Sequence, residues 1–316
     1  MSLIKNFSPR ALGITGRQSE LLELALTYAF NGIDIDMDDM YRRSLREDGS
    51  DATKYLRSAK KAYEVKGKPI HWGMFDTALN LDGDEDSFTA SVGAITPIAD
   101  LAKEIGLKAA YVDVPAASDR LPFNEYFEAQ KGRIKQIADV LGPRGIDLGL
   151  RLQAGKDLAE AKQYEFIRDA AGMKALVESC PETVGFIVDT WDWAVGGSTL
   201  DTIKELPIDR IVSVRMSSFP EGIDPTNASS TDRVLPAIEG PIDHVGLLKH
   251  LASKGYERTV TPSASSAQYR GETRESIVKE AQVKIDAIYE AADQPVAPLP
   301  MDLIEEVAED AGTSLV

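Results

Sequence analysis

Short strand-like segments alternate with amphipathic helical stretches from one end of this chain to the other, and eight such units can be counted along its 316 residues. The strands are predicted to begin near Leu12 (LGITG), Gly32 (GIDIDM), Pro69 (PIHWGMF), Ala109 (AAYVDVP), Ile146 (IDLGLRL), Val184 (VGFIVDT), Ile211 (IVSVRMS) and Arg258 (RTVTPSA). Between them, stretches such as SELLELALTYAF, ITPIADLAKEIG and ESIVKEAQVKIDAIYEAA repeat apolar residues at three- and four-residue spacing. That is the pattern of a helix with one buried face. Strict alternation with right-handed crossovers leaves an open doubly wound sheet or a closed barrel, and eight units favour closure. The expected fold is therefore a single (β/α)8 TIM barrel over residues 1–293, since barrels of about 250 residues routinely form one domain.

Within the strands, polarity alternates with period two, as in IDIDMD, LGLRLQ and VSVRMS. Apolar side chains are expected to face the helices and polar ones to point into the barrel, toward the C-terminal strand ends where barrel sites are built. Residues 294–316 lie outside the eighth unit: QPVAPLP reads as a proline-rich linker and MDLIEEVAEDAG as a short acidic helix. That helix either packs back on its own barrel or reaches a neighbouring subunit, so a homo-oligomer stays open.

The chain carries 51 acidic against 35 basic residues, a formal charge of -16. Nucleic-acid partners draw their affinity from clustered lysine and arginine, so this balance argues against them. No apolar run approaches the roughly 20 residues of a membrane helix, and the first residues lack the apolar core of a secretory signal. The single Cys180 has no disulfide partner in the chain and reads as a packing residue, so the expected compartment is the cytoplasm. A phosphate-binding P-loop, GxGxxG, GxSxG, HExxH and CxxC are all missing, which sets aside the nucleotide, serine-hydrolase and zinc readings those motifs carry. Of three histidines, His244 and His250 fall on different faces of the seventh helix and are expected at the surface or an interface, whereas His71 lies on the third strand.

The run LGITGRQSELLELALTYAFNGIDIDM resembles the opening of the xylose-isomerase-like barrels of the sugar phosphate isomerase/epimerase family, with Asp34 at the carboxylate position of the second strand. AKEIGLKAAYVDVP, VGFIVDTWD and IEGPIDHVGLLKHLASKGYERTV are similar to later parts of the same barrels, so the likeness spans nearly the whole unit. The resemblance implies a sugar or polyol substrate and a divalent metal held by a glutamate, an aspartate, a histidine and a glutamate ending strands five to eight. Such a cation polarises a carbonyl while carboxylates move a proton beside it. Position by position, this chain offers Arg151, Asp189, Arg215 and Ser263 or the neighbouring Pro262. Asp192 replaces the histidine after strand six, and Ser218 the aspartate after strand seven. A guanidinium neither ligates a metal nor acts as a base near neutral pH, so no metal or other cofactor is expected.

Two readings follow. In one, Arg151 and Arg215 supply fixed positive charge, paired with Asp189, Asp192, Asp34 or Asp36, and receive a carboxylate or phosphate on a ligand. In the other, the same groups form a polar network that merely fills the barrel mouth. The expected catalytic residues are His71, Asp189 and Asp34; the expected substrate-binding residues are Arg151, Arg215, Asp192, Gln153 and Trp191. His71 corresponds to a histidine of some family members and is read either as a general acid or base or as a hydrogen-bonded core residue. Trp191 and Trp193 either stack on a sugar or pack beneath a loop. The hydroxyl-rich segment from Ser217 to Arg233 is a lid or phosphate site, or an insertion serving oligomer contacts. The expected function is proton transfer on a sugar or polyol, isomerase- or epimerase-like and without the usual metal. The alternative is a non-catalytic barrel binding an anionic or polyhydroxylated metabolite.

Overall fold

A computed structural model describes residues 3–45, 52–65, 67, 69–160 and 162–299. In chain order its elements are β1 (Ile4–Phe7), α1 (Gln18–Thr27), β2 (Gly32–Ile33), α2 (Met37–Ser44), α3 (Ala52–Val65), β3 (His71–Trp72), β4 (Phe75–Asp76), α4 (Glu85–Ile105), β5 (Ala109–Asp113), β6 (Ala117–Ser118) and α5 (Phe123–Leu141). They continue as β7 (Asp147–Arg151), β8 (Tyr164–Glu165), α6 (Ala170–Glu178), β9 (Val184–Asp189), α7 (Thr190–Val195), α8 (Leu200–Lys204), β10 (Ile211–Met216), α9 (His244–Ser253), β11 (Thr259–Pro262) and α10 (Arg274–Ala291).

The main sheet runs β3-β2-β1-β11-β10-β9-β7-β5-β4, every neighbouring pair parallel. Its two nominal edges are halves of one stretch: β3 pairs with β2 and β4 with β5, and only Gly73 and Met74 separate them. The third barrel strand therefore changes partners midway and closes the ring, giving the expected (β/α)8 barrel. Closure leaves no exposed edge on the ring. The short β6 and β8 form a separate antiparallel pair. Among the described residues, no helix is long and apolar enough to cross a membrane.

The first strand is not where the sequence reading placed it. It is Ile4–Phe7, and Leu12 is instead buried in a 3-10 turn ended by Gly13 at φ 67°. The true strand carries Lys5 and Asn6, which conceal it from a hydrophobicity argument. Both are buried because each has a partner: Lys5 Nζ donates to Asp286 at 2.6 Å, and Asn6 Nδ2 donates to Asp34 at 2.9 Å and Thr261 at 3.0 Å. The predicted C-terminal helix lies outside the described residues.

Alternation within the strands sorts side chains as expected. Leu148, Leu150, Phe186 and Val188 join the large core between sheet and helices, while Met74, Tyr111, Ile187 and Val212 form a small separate cluster inside the ring. That interior is crowded enough to require glycine twice. A Cβ on Gly149 would stand 2.3 Å from Ile187 Cδ1, and one on Gly73 would stand 2.2 Å from Asp34 Oδ1.

Candidate site at the barrel mouth

Period-two alternation carries Asp34, Asp76, Tyr111, Asp113, Arg151, Asp189 and Arg215 to the inner face of the ring near its C-terminal end. Three cavities open there. The first, of about 470 Å³, is lined by Ser8, Arg10, Asp34, Met74, Asp76 and Tyr111 among others. A second of about 470 Å³ is bordered by Asp76, Asp113, Gln153 and Lys162, and a third of about 280 Å³ by Arg10, Arg151, Gln153, Asp192, Arg233 and Ser263. An ion pair from Arg10, in the turn after β1, to Asp76 at the end of β4 stands where the cavities meet. Asp76 also accepts the Tyr111 hydroxyl at 2.9 Å.

Asp34 follows β2 and is held by one oxygen only. Oδ1 accepts from Asn6 Nδ2 and from the Met74 amide, both at 2.9 Å, while Oδ2 is buried with no hydrogen-bond partner. Burial pushes this carboxyl above the ordinary carboxylate range, against the pull of Arg215 and nearby donors. Arg215 lies deeper, 2% exposed, with its guanidinium 4.4 Å from the Tyr111 ring centre and its Nε unpartnered. It contributes positive charge beneath the first cavity.

Arg151 is committed elsewhere than expected. Its Nε and Nη2 hold Asp113 in a bidentate pair at 2.5 and 2.7 Å, and its guanidinium also lies over the Tyr111 ring, 5.4 Å from its centre. Burial would lower its pKa, but Asp113 outweighs burial and raises it. Asp189 and Asp192 do converge, since Asp189 caps α7 and Asp192 stands in that helix's first turn. Their partner is Arg233, which donates through Nη1 to Asp189 at 2.5 Å and through Nη2 to Asp192 at 2.6 Å. Burial acts to raise Asp189, yet Arg233, followed by Arg151 and Arg215, holds it below its usual range. For Asp192 burial prevails, aided by repulsion from Asp189, and the carboxyl is raised.

Other expected residues fall outside this cluster. His71 sits in β3 at the opposite half of the split strand, facing Lys60 and Glu64 of α3, and lines none of the three cavities. Burial lowers its pKa. Trp191 is fully buried, with the Phe219 ring tilted at 33° to it at 5.6 Å and the Arg233 guanidinium over its ring at 4.7 Å, so it is engaged in packing. Gln153 borders the second and third cavities, and Asp36 caps α2 through the Asp39 amide. His244 is not a surface residue: it is 0% exposed, with Nδ1 3.0 Å from the Ala237 carbonyl and Nε2 3.1 Å from that of Ser217. It pins both ends of the loop after β10. Sequence reasoning missed Arg233, Asp113, Tyr111 and the Arg10–Asp76 pair. The polar inner positions of AAYVDV signalled two of them, but nothing local marks a loop arginine as an ion-pair partner.

The donor set that the resemblance implies is not reproduced. Asp189 and Asp192 are both engaged by Arg233, and the remaining strand ends present Arg151, Arg215 and Ser263. Among the described residues, no group of three or more His, Cys, Asp or Glu side chains is placed to hold a metal ion.

Closed parallel ring, eight crossover units and a polar cavity at the C-terminal strand ends together define a (β/α)8 barrel. The chain belongs to the xylose isomerase-like TIM barrel family, whose family model matches residues 22–284. It is similar to a xylose isomerase domain protein from Alicyclobacillus acidocaldarius, with 22% identity, a TM-score of 0.76 and coverage of 92% of this chain and 100% of that one. It also resembles the IolI protein with a bound zinc atom, at 16% identity, TM-score 0.73 and coverage of 92% and 99%. For an L-ribulose 3-epimerase the values are 13%, 0.64, 92% and 96%. No curated protein matches the chain. Likeness at these identities establishes the fold.

Proposed function

We propose that this barrel is an isomerase or epimerase that moves a proton at the carbon next to a carbonyl in a sugar or polyol-derived substrate, with Asp34 as the base. The observation that carries the reading is Asp34 itself: an inward carboxylate at the wall of the first cavity, fixed through Oδ1 and free at a buried Oδ2. A carboxyl raised by burial is a stronger base than an ordinary aspartate, which suits proton abstraction near neutral pH. Removing that proton leaves negative charge on the substrate oxygen. Arg215 beneath the cavity and Arg10 at its rim place positive charge beside it. Returning the proton to the adjacent carbon, while the hydroxyl proton passes to the former carbonyl oxygen, completes an isomerisation; delivering one to the opposite face completes an epimerisation, for which Tyr111 in the same cavity is the available donor, with solvent then restoring the protonation of both groups. Isomerase and epimerase neighbours within the family support this class of reaction, and we propose that it proceeds without a resident divalent ion because the strand-end donors are replaced.

The test is wash-in of solvent deuterium, followed by NMR, with aldoses, ketoses and inositol-derived ketones incubated with the protein in D2O. Wild type is expected to label the carbon beside the carbonyl of at least one compound, and Asp34→Asn to abolish labelling while retaining the fold. A compound that raises the melting temperature of the wild type but never gains deuterium would instead establish a binding barrel. Labelling that survives in Asp34→Asn would remove Asp34 from the role.

A further inference from the structure

Arg233 is a loop residue doing what no strand residue in this mouth does: it bridges two buried carboxylates at once. Asp189 and Asp192 have side chains 0% and 4% exposed, and each accepts one arm of the same guanidinium. The arrangement is anchored on every side. The Arg233 carbonyl accepts the Ser265 amide at 2.9 Å, and Val234 exchanges backbone hydrogen bonds with Ser218 at 2.8 and 3.0 Å. Trp191 supports the guanidinium face, Ser217 Oγ lies 3.4 Å from both Arg233 Nη1 and Asp189 Oδ1, and the Ala154 amide donates to Asp192 Oδ1 at 3.0 Å. Two carboxylates this close and this buried do not ionise together without a cation between them. Arg233 is the one guanidinium that contacts both carboxylates, a single directly bound positive charge against two negative ones, while Arg151 and Arg215 act on the pair only from a distance. A hard divalent cation, which prefers oxygen ligands and keeps water in its remaining positions, would match that pair more completely.

We propose that Arg233 is a resident cation: its guanidinium fills the place between Asp189 and Asp192 that a divalent ion would otherwise take, so that removing the side chain opens a one-ion site built from these two carboxylates and the Ser217 hydroxyl. The site is thus closed by the chain itself, from a loop and independently of the role given to Asp34. Covalent attachment keeps this charge in place when chelators strip free ions from solution.

Manganese binding measured by water-proton relaxation, on full-length protein stripped with EDTA, tests the inference. Arg233→Ala is expected to bind one more Mn2+ per chain than wild type, at least tenfold more tightly than any wild-type site, and Arg233→Ala/Asp189→Asn to lose it. Free guanidinium at millimolar concentration should displace that ion, while urea, its neutral isostere, should not. If Arg233→Ala does not fold, Arg233→Ser, which also vacates the space between the carboxylates, is read in the same way. Equal Mn2+ stoichiometry in wild type and variant, a gained site that survives Asp189→Asn, or displacement by urea as readily as by guanidinium would each overturn the proposal.

Discussion

Gly149 offers a sharp test of how the barrel interior is packed, because the cost of one methyl group can be worked out from its neighbours. A Cβ there would lie 2.3 Å from Ile187 Cδ1, 2.7 Å from Ile187 Cγ1 and 3.4 Å from Val212 Cβ. The strands cannot spread to make room, since β7 and β9 are locked in register with Gly149 opposite Gly185 and Arg151 opposite Ile187. Relief has to come from Ile187, which is 0% exposed and enclosed by the inner cluster. Overpacking of this kind costs about 1–3 kcal/mol, and the reduced freedom of the unfolded chain returns about 0.4–1 kcal/mol for Gly→Ala. A net loss of about 1–2 kcal/mol is expected for Gly149→Ala. With a urea slope of about 3 kcal/mol per molar, the unfolding midpoint should fall by roughly 0.5 M at unchanged slope. In an Ile187→Ala background both close atoms are gone, so the same substitution should be neutral or stabilising, giving a coupling energy of about 1–2 kcal/mol. Equal cost in both backgrounds would refute the argument that Gly149 exists to admit Ile187.

Two further outcomes are expected. His244→Ala should destabilise the protein by about 1–3 kcal/mol, because the buried ring that links the Ala237 and Ser217 carbonyls is lost and leaves a cavity, although the Ser217 carbonyl keeps the Thr190 hydroxyl at 2.8 Å, and limited proteolysis should then cut between residues 217 and 240 where wild type resists. Asp34→Asn should narrow its stability difference from wild type as pH falls. The Asp34 carboxyl is raised in the folded state, so the folded protein holds this proton more firmly than the unfolded chain. Ionising it therefore costs stability as pH rises through the folded value, and Asn, which cannot ionise, escapes that cost. Urea titrations of both proteins between pH 4 and pH 8 read the effect; a difference that does not change over this window would mean that Asp34 titrates normally.

Barrel architecture was readable because period-two strands and amphipathic helices report burial directly, and in β5, β7 and β9 the inner and outer positions follow that pattern residue by residue, while in β10 a bulge between Ile211 and Ser213 interrupts it. Strand one escaped because Lys5 and Asn6 are buried by partnership, with Asp286 and with Asp34 and Thr261, rather than by hydrophobicity. His244 was legible and misread: with Leu247, Leu248 and Leu251 it forms the buried stripe of α9, a helical spacing that outweighs the usual exposure of histidine. The mouth was harder for a different reason. Strand positions locate Asp34, Asp113, Arg151, Asp189 and Arg215 on one inner face, but which arginine pairs with which aspartate depends on loops whose course no periodicity records. Once Arg151 is held by Asp113, and Arg233 by Asp189 and Asp192, the charges at this mouth separate into two kinds. The paired ones are saturated and rigid. Asp34 and Arg215 retain a buried oxygen and a buried Nε without hydrogen-bond partners, and because an unmet buried polar group costs about 1–3 kcal/mol, the vicinity of the first cavity is where a ligand gains most by arriving.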